Sequence, residues 1–92
     1  MGHITTPKFE LQFERLDKSA FIMGVDSIKQ AKEEIQNTFK DDLNFVKELS
    51  GVCFLFGNSQ AGKKYLKNHN ADYYKIDSET LQIEKCGIEI IY

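Results

Sequence analysis

Apolar and polar residues alternate near the start of the chain. Phe9, Leu11 and Phe13 occupy every second position, separated by charged or amide side chains. This period of two predicts a half-buried β-strand. A polar turn at residues 17–19 and a second apolar stretch at 21–25 follow, so we expect the two strands to pair as a hairpin.

A helical spacing of apolar residues follows this hairpin. Ser27, with Gln30 three residues later, predicts the N-terminus of a helix. The apolar stripe comprises Ile28, Ala31, Ile35 and Phe39, and its spacing is compatible with a continuation through Phe45, Val46 and Leu49. One helix over residues 27–50 would be about 36 Å long, which is too long for a domain of this size unless the helix protrudes. A break is therefore favoured, with Asp41 as a candidate cap of a second helix. Whether the region forms one helix or two stays open. Gly51 is expected to end the helical region in the left-handed conformation.

The second half begins with an unbroken apolar run at residues 52–56, typical of a central strand covered on both faces. Ser59 is expected to cap a short helix that runs to about His69. The residues of this helix predicted to face inward are Ala61, Tyr65 and Leu66. A strand at 73–76 follows, and the strand–helix–strand unit is compatible with a right-handed parallel crossover.

Two further strands are predicted at the C-terminal end, at residues 81–84 and 88–92, with a break at Gly87. The order of elements is therefore ββα(α)βαββ. It predicts an α+β fold, a two-layer sandwich with a mixed, mostly antiparallel sheet of about five strands and helices mainly on one face. We expect residues 1–92 to form a single domain, with residues 1–7 a candidate flexible terminus.

Composition narrows the classes of function. The 92 residues are 41% hydrophobic and 28% charged, with a net charge of −2, which suits one modest core. No signal-peptide pattern or membrane-length apolar run is present, so we expect a soluble cytoplasmic protein that does not associate with membranes. Cys53 and Cys86 are expected to be reduced, and with His3 and His69 they lack metal-ligand spacing. We therefore expect no metal and no cofactor.

One turn carries the main chemical signal. Gly57, Gly62 and Lys63 fit the spacing G-x-x-x-x-G-K of phosphate-binding turns. Lys64 stands where nucleotide hydrolysis needs a hydroxyl ligand for Mg²⁺, so we expect simple anion binding at most. The candidate anion-binding residues are Gly57, Ser59, Gly62, Lys63, Lys64 and Lys67.

Residues for catalysis are not evident. His69 has no partner nearby in sequence that would orient it, and Ser59 is better explained as a helix cap. We expect a small protein-binding module, inhibitory or regulatory, without catalytic activity and with another protein as its partner. The alternative is phosphate or nucleic-acid binding through the Gly57–Lys64 turn and Lys67, with tyrosines for stacking. A homodimer paired through an edge strand is also compatible with the sequence.

Overall fold

A computed structural model describes residues 6–87. The strands are β1 (Phe9–Arg15), β2 (Ala20–Val25), β3 (Leu49–Gly57), β4 (Tyr73–Asp77) and β5 (Ile83–Cys86). The helices are α1 (Ile28–Asp41), α2 (Leu43–Val46) and α3 (Gln60–Asn68). This order confirms the predicted α+β fold. The strand predicted at residues 88–92 and the terminal residues 1–5 lie outside the described part of the chain.

The five described strands form one sheet in the order β2-β1-β3-β4-β5, and every neighbouring pair is antiparallel. The parallel crossover considered for β3, α3 and β4 is therefore wrong, and the sheet is not mixed over these strands. A helix of nine residues spans only about 14 Å, whereas a nine-residue strand spans about 30 Å. The chain thus re-enters the sheet at the end where it left, with Tyr73 beside Phe56.

The helices cover one face of the sheet, as predicted. Ala31 and Ile35 of α1 and Leu66 of α3 belong to the same buried cluster as the inward-facing strand residues. Those strand residues are Phe9, Leu11, Phe13, Val25, Leu49, Cys53, Leu55, Tyr74 and Ile76. Burial of large aliphatic or aromatic side chains contributes roughly 1.5–3 kcal/mol each, so this layer carries the stability of the fold.

The helical region is broken, as the sequence favoured. The Ser27 hydroxyl accepts the Gln30 N–H at 3.0 Å and caps α1. Asp42 rather than Asp41 caps α2, because its carboxylate accepts the Phe45 N–H at 3.2 Å. Helix α2 ends at Val46, and Gly51 lies inside β3 with φ of 95°. The expectation that Gly51 ends the helical region is therefore wrong.

Helix α3 begins as predicted but turns a different face inward. Ser59 is its N-cap, and Leu66 is buried. Ala61 and Tyr65, predicted to face inward, are exposed. Gly62 faces the sheet instead, because the absence of a side chain lets α3 approach the backbone at the start of β1.

Candidate functional site

Three aromatic side chains lie together on the helix-free side of the sheet, hereafter the open face. They are Phe54 and Phe56 of β3 and Tyr73 of β4, and they form the aromatic trio. Their ring centroids lie 5.0 Å apart for Phe56 and Tyr73, 6.0 Å for Phe54 and Tyr73, and 6.3 Å for the two phenylalanines. All three side chains are half-buried. The trio is therefore a contiguous apolar surface that no described helix covers.

Strand alternation places the trio on this face. Residues at alternate positions of a strand point to opposite sides of the sheet. Cys53 and Leu55 are buried under the helices, so Phe54 and Phe56 point the other way. The antiparallel register sets Tyr73 directly across from Phe56, where opposite side chains come within about 5 Å at their Cβ atoms.

The charged side chains of the open face as a whole are mostly acidic. Glu10 of β1 lies opposite Phe56, Lys75 of β4 lies opposite Phe54, and Glu84 of β5 lies opposite Lys75. The charged residues at open-face positions are Glu10, Glu14, Lys75, Asp77 and Glu84. Four carboxylates against one ammonium group give this face a negative potential, which attracts cationic groups and repels phosphates.

The acidic groups differ in what they are free to bind. The Asp77 carboxylate accepts the N–H groups of Thr80 at 2.9 Å and Glu79 at 2.8 Å. These hydrogen bonds stabilise its ionised form and lower the pKa of Asp77. Glu10 accepts one bond, from the Gln12 amide at 2.8 Å. Asp77 is thus committed to the turn after β4, whereas Glu10 keeps acceptor capacity for a ligand.

The predicted anion-binding turn is largely occupied by its own hydrogen bonds. The Lys8 carbonyl accepts the N–H groups of Asn58 at 2.9 Å and Ser59 at 3.2 Å. The Ser59 hydroxyl accepts the Gly62 N–H at 3.2 Å, and its carbonyl accepts the Lys63 N–H at 2.9 Å. Most of the amides that a phosphate-binding loop would aim at its ligand therefore bind the protein itself.

The two glycines of the turn permit close backbone approach. A methyl group at Gly62 would overlap the Lys8 carbonyl group and lie 2.7 Å from its carbon. A methyl group at Gly57 would lie 2.8 Å from the Cα of Lys63. Contacts this short are not tolerated without backbone movement. Packing alone accounts for the glycine spacing that the sequence shares with phosphate-binding turns.

The lysines of the turn nevertheless come together around the start of α3. One shallow hollow is lined by Gln60, Ala61, Lys63, Lys64 and Lys67. A neighbouring hollow at the end of β3 is lined by Phe56, Gly57, Lys63, Leu66, Lys67, Ala71 and Asp72. The structure thus gathers Gly57 and the three lysines of the predicted anion-binding set at one end of the sheet. Anion binding there stays a prediction.

The remaining candidate residues are His69 and the two cysteines. His69 is exposed, and its ring stacks on that of Tyr65 at 4.1 Å between centroids. Both cysteines are free, and Cys53 is 1% exposed. Burial, followed by the nearby Asp77 charge, raises the pKa of the Cys53 thiol to about 12, so this thiol stays protonated. Within residues 6–87, no group of three acidic, cysteine or histidine residues could hold a metal ion.

Comparison with known proteins adds no assignment: no protein-family model, curated protein or solved structure matches this chain. Helices long and apolar enough to cross a membrane are absent from residues 6–87. Two surfaces of the described chain therefore bear on its function: the open face and the lysine-lined turn.

Proposed function

We propose that this chain is a small protein-binding module whose open face recognises a basic segment of a partner protein. The observation that supports this most directly is the aromatic trio on a helix-free sheet face, where Glu10 lies opposite Phe56 and carboxylates outnumber ammonium groups by four to one. Aromatic residues are enriched in interface cores, where they anchor binding. A partner that buries the trio would gain affinity from apolar area and orientation from charge.

The chemistry of the trio favours arginine or lysine side chains. Their cationic groups interact favourably with aromatic rings, and more strongly when water is excluded. Glu10 lies directly across from Phe56, so a cation over that ring also has a carboxylate within reach. Glu84 marks the other side of the face, next to Lys75. One partner segment could thus place its apolar atoms on the rings and its cationic groups beside the carboxylates.

Binding on this face has to use side chains. β3 and β4 lie inside the sheet, and their backbone groups already pair with neighbouring strands on both sides. A partner segment cannot add to them as a further strand. It would lie across the strands and place alternate side chains among the rings and carboxylates.

A second candidate is phosphate or nucleic-acid binding at the Gly57–Lys64 turn. One observation favours it: Lys63, Lys64 and Lys67 line one shallow hollow at the start of α3, so a phosphate bound there would have three cations nearby. The carboxylates of the open face oppose this function, because they repel the backbone of any strand that crosses the trio. We therefore rank it second.

An NMR titration of the ¹⁵N-labelled protein separates the two functions. The probes are a short synthetic peptide of alternating arginine and threonine, the same peptide with glutamate in place of arginine, and a short oligothymidylate. We expect the arginine peptide to shift the amide signals of Phe54, Phe56 and Tyr73, and the shifts to weaken with added salt. The glutamate peptide should leave them unchanged.

The other outcomes are equally informative. Shifts confined to residues 59–67 with oligothymidylate would support the second candidate instead. If the arginine peptide leaves the amide signals of the open face unchanged at low ionic strength, recognition of a basic segment by this face is excluded.

A further inference from the structure

We propose that the protein forms a two-fold symmetric homodimer by pairing β2 with β2 of a second copy. β2 is an edge of the five-stranded sheet, with the sequence Ala-Phe-Ile-Met-Gly-Val. It contains no charged residue and no proline, and Phe21 and Ile22 are 41% and 51% exposed. Natural edge strands normally carry such charges or prolines to prevent pairing with another chain. Their absence marks β2 as a strand available to pair.

The backbone of β2 offers an ordered set of donors and acceptors. The Arg15 N–H donates to the Ser19 carbonyl at 2.8 Å, which fixes the alternation of the β1–β2 ladder. Phe21 and Met23 therefore bond to β1, whereas Ala20, Ile22 and Gly24 direct their N–H and C=O groups away from the sheet. No hydrogen bond within residues 6–87 uses those outward groups.

A second copy fits this edge because β2 is complementary to itself in the antiparallel direction. Centring the two-fold axis on Ile22 sets each Ile22 against the other, and each Ala20 against Gly24 of the second copy. On the helix-covered side, Phe21 then faces Met23 of the second copy. This contact sets a flexible thioether against the exposed part of a ring, a favourable sulfur–aromatic contact.

Charges at the two ends of β2 favour the same register. Lys18 lies in the turn before the strand, with φ of 75°, and Asp26 follows the strand, where its carboxylate accepts the Lys8 N–H at 3.2 Å. Pairing centred on Ile22 brings the end of β2 that carries Lys18 beside the end that carries Asp26 in the second copy, and symmetry repeats this contact at the other end. A parallel arrangement would instead set like charges together. Exposed ion pairs contribute little affinity, but they discriminate between registers and orientations.

The opposite edge strand of the described sheet, β5, differs from β2 in its charges. β5 has the sequence Ile-Glu-Lys-Cys, so charged side chains occupy its centre. A strand of this kind resists pairing with another copy of itself, because like charges would meet. The dimer is therefore expected at β2, and it would extend the sheet to two joined copies while leaving both open faces uncovered.

Sedimentation velocity of the full chain tests the proposal, at concentrations from about 10 μM to about 1 mM, where a small strand-paired interface would dissociate. We expect a monomer–dimer equilibrium. Ile22→Lys should shift it to monomer by at least about tenfold in Kd, because it places a charge at the centre of the pairing. Gln82→Lys is the control, since Gln82 is exposed beside β5 at the opposite edge of the described sheet and the variant adds the same charge.

A charge exchange makes the register testable without disturbing the apolar strand. Lys18→Asp should weaken the dimer, and adding Asp26→Lys should restore it. Amide hydrogen exchange should slow with protein concentration at Ala20, Ile22 and Gly24. A chain that stays monomeric at every concentration overturns the proposal, as does a dimer that Ile22→Lys and Gln82→Lys leave equally strong. Slow exchange of those amides in a monomer would show that the chain covers its own edge.

Discussion

The two faces of the sheet contrast in what lies over them. On the helix-covered face, Leu11 and Phe13 are at most 1% exposed and pack with α1 and α3. On the open face, Phe54, Phe56 and Tyr73 are half-buried, with Glu10 opposite Phe56 and Lys75 opposite Phe54. The apolar side chains of the first face pack against the helices, which explains their burial. The three rings of the second face pack on one another, and no described helix lies over them, so we assign stability to the first face and recognition to the second.

The largest effect expected from this contrast is on folding. Phe13→Ala should lower the free energy of unfolding by about 3–5 kcal/mol, because the ring is buried and its removal leaves a cavity. Phe56→Ala, on the open face, should cost about 1–2 kcal/mol, because its ring is already partly in water. Urea denaturation monitored by circular dichroism measures both values. Equal losses for the two variants would contradict the division between the faces.

A smaller effect tests how α3 is held against the sheet. Gly62→Ala should destabilise the protein by about 1–3 kcal/mol, since the new methyl group overlaps the Lys8 carbonyl. Ala61→Gly, the neighbouring control at an exposed position, should cost about 1 kcal/mol through helix propensity alone. A Gly62→Ala protein as stable as the parent would show that close packing is not the reason for this glycine.

The acid sensitivity of folding tests the structural role of the Asp77 carboxylate, and we expect this effect on stability to be the smallest. Hydrogen bonds from Thr80 and Glu79 lower the pKa of Asp77 in the folded protein below its ordinary value of 3.8. A lowered folded-state pKa gives stability that is present above pH 3.8 and is lost as pH falls through the folded value. Asp77→Asn should therefore flatten the stability profile below pH 3.8. Urea denaturation of the parent and the variant at a series of pH values measures this difference, and a variant whose stability falls as steeply as that of the parent would contradict the role of the two hydrogen bonds.

The local features of the fold could be predicted from the sequence. The β1–β2 hairpin follows from alternation and a polar turn, and the Ser27 and Ser59 caps follow from short-range hydrogen bonds. The antiparallel pairing of β3 and β4 could not be predicted in this way. It depends on the length of β3, which begins at Leu49 rather than at residue 52, so that α3 is too short to return the chain along the whole strand.

The aromatic trio could not be predicted from the sequence for a related reason. The run at residues 52–56 is apolar at every position, so it resembles a strand buried on both faces. Only the register with β1 and β4 shows that Phe54 and Phe56 share a helix-free face with Tyr73. One signal was present: two aromatic residues alternate with the smaller Cys53 and Leu55, as expected when the two faces of a strand differ.

The most direct test of the account is the affinity of the arginine–threonine peptide for two matched variants, measured by calorimetry. Phe56→Ala removes a ring of the trio, and Tyr65→Ala removes a ring exposed on α3, on the other side of the sheet. We expect Phe56→Ala to weaken binding by about tenfold or more, the loss of about 1.4 kcal/mol typical of an interface anchor. Tyr65→Ala should bind like the parent. Equal affinities for the two variants would contradict recognition by the open face.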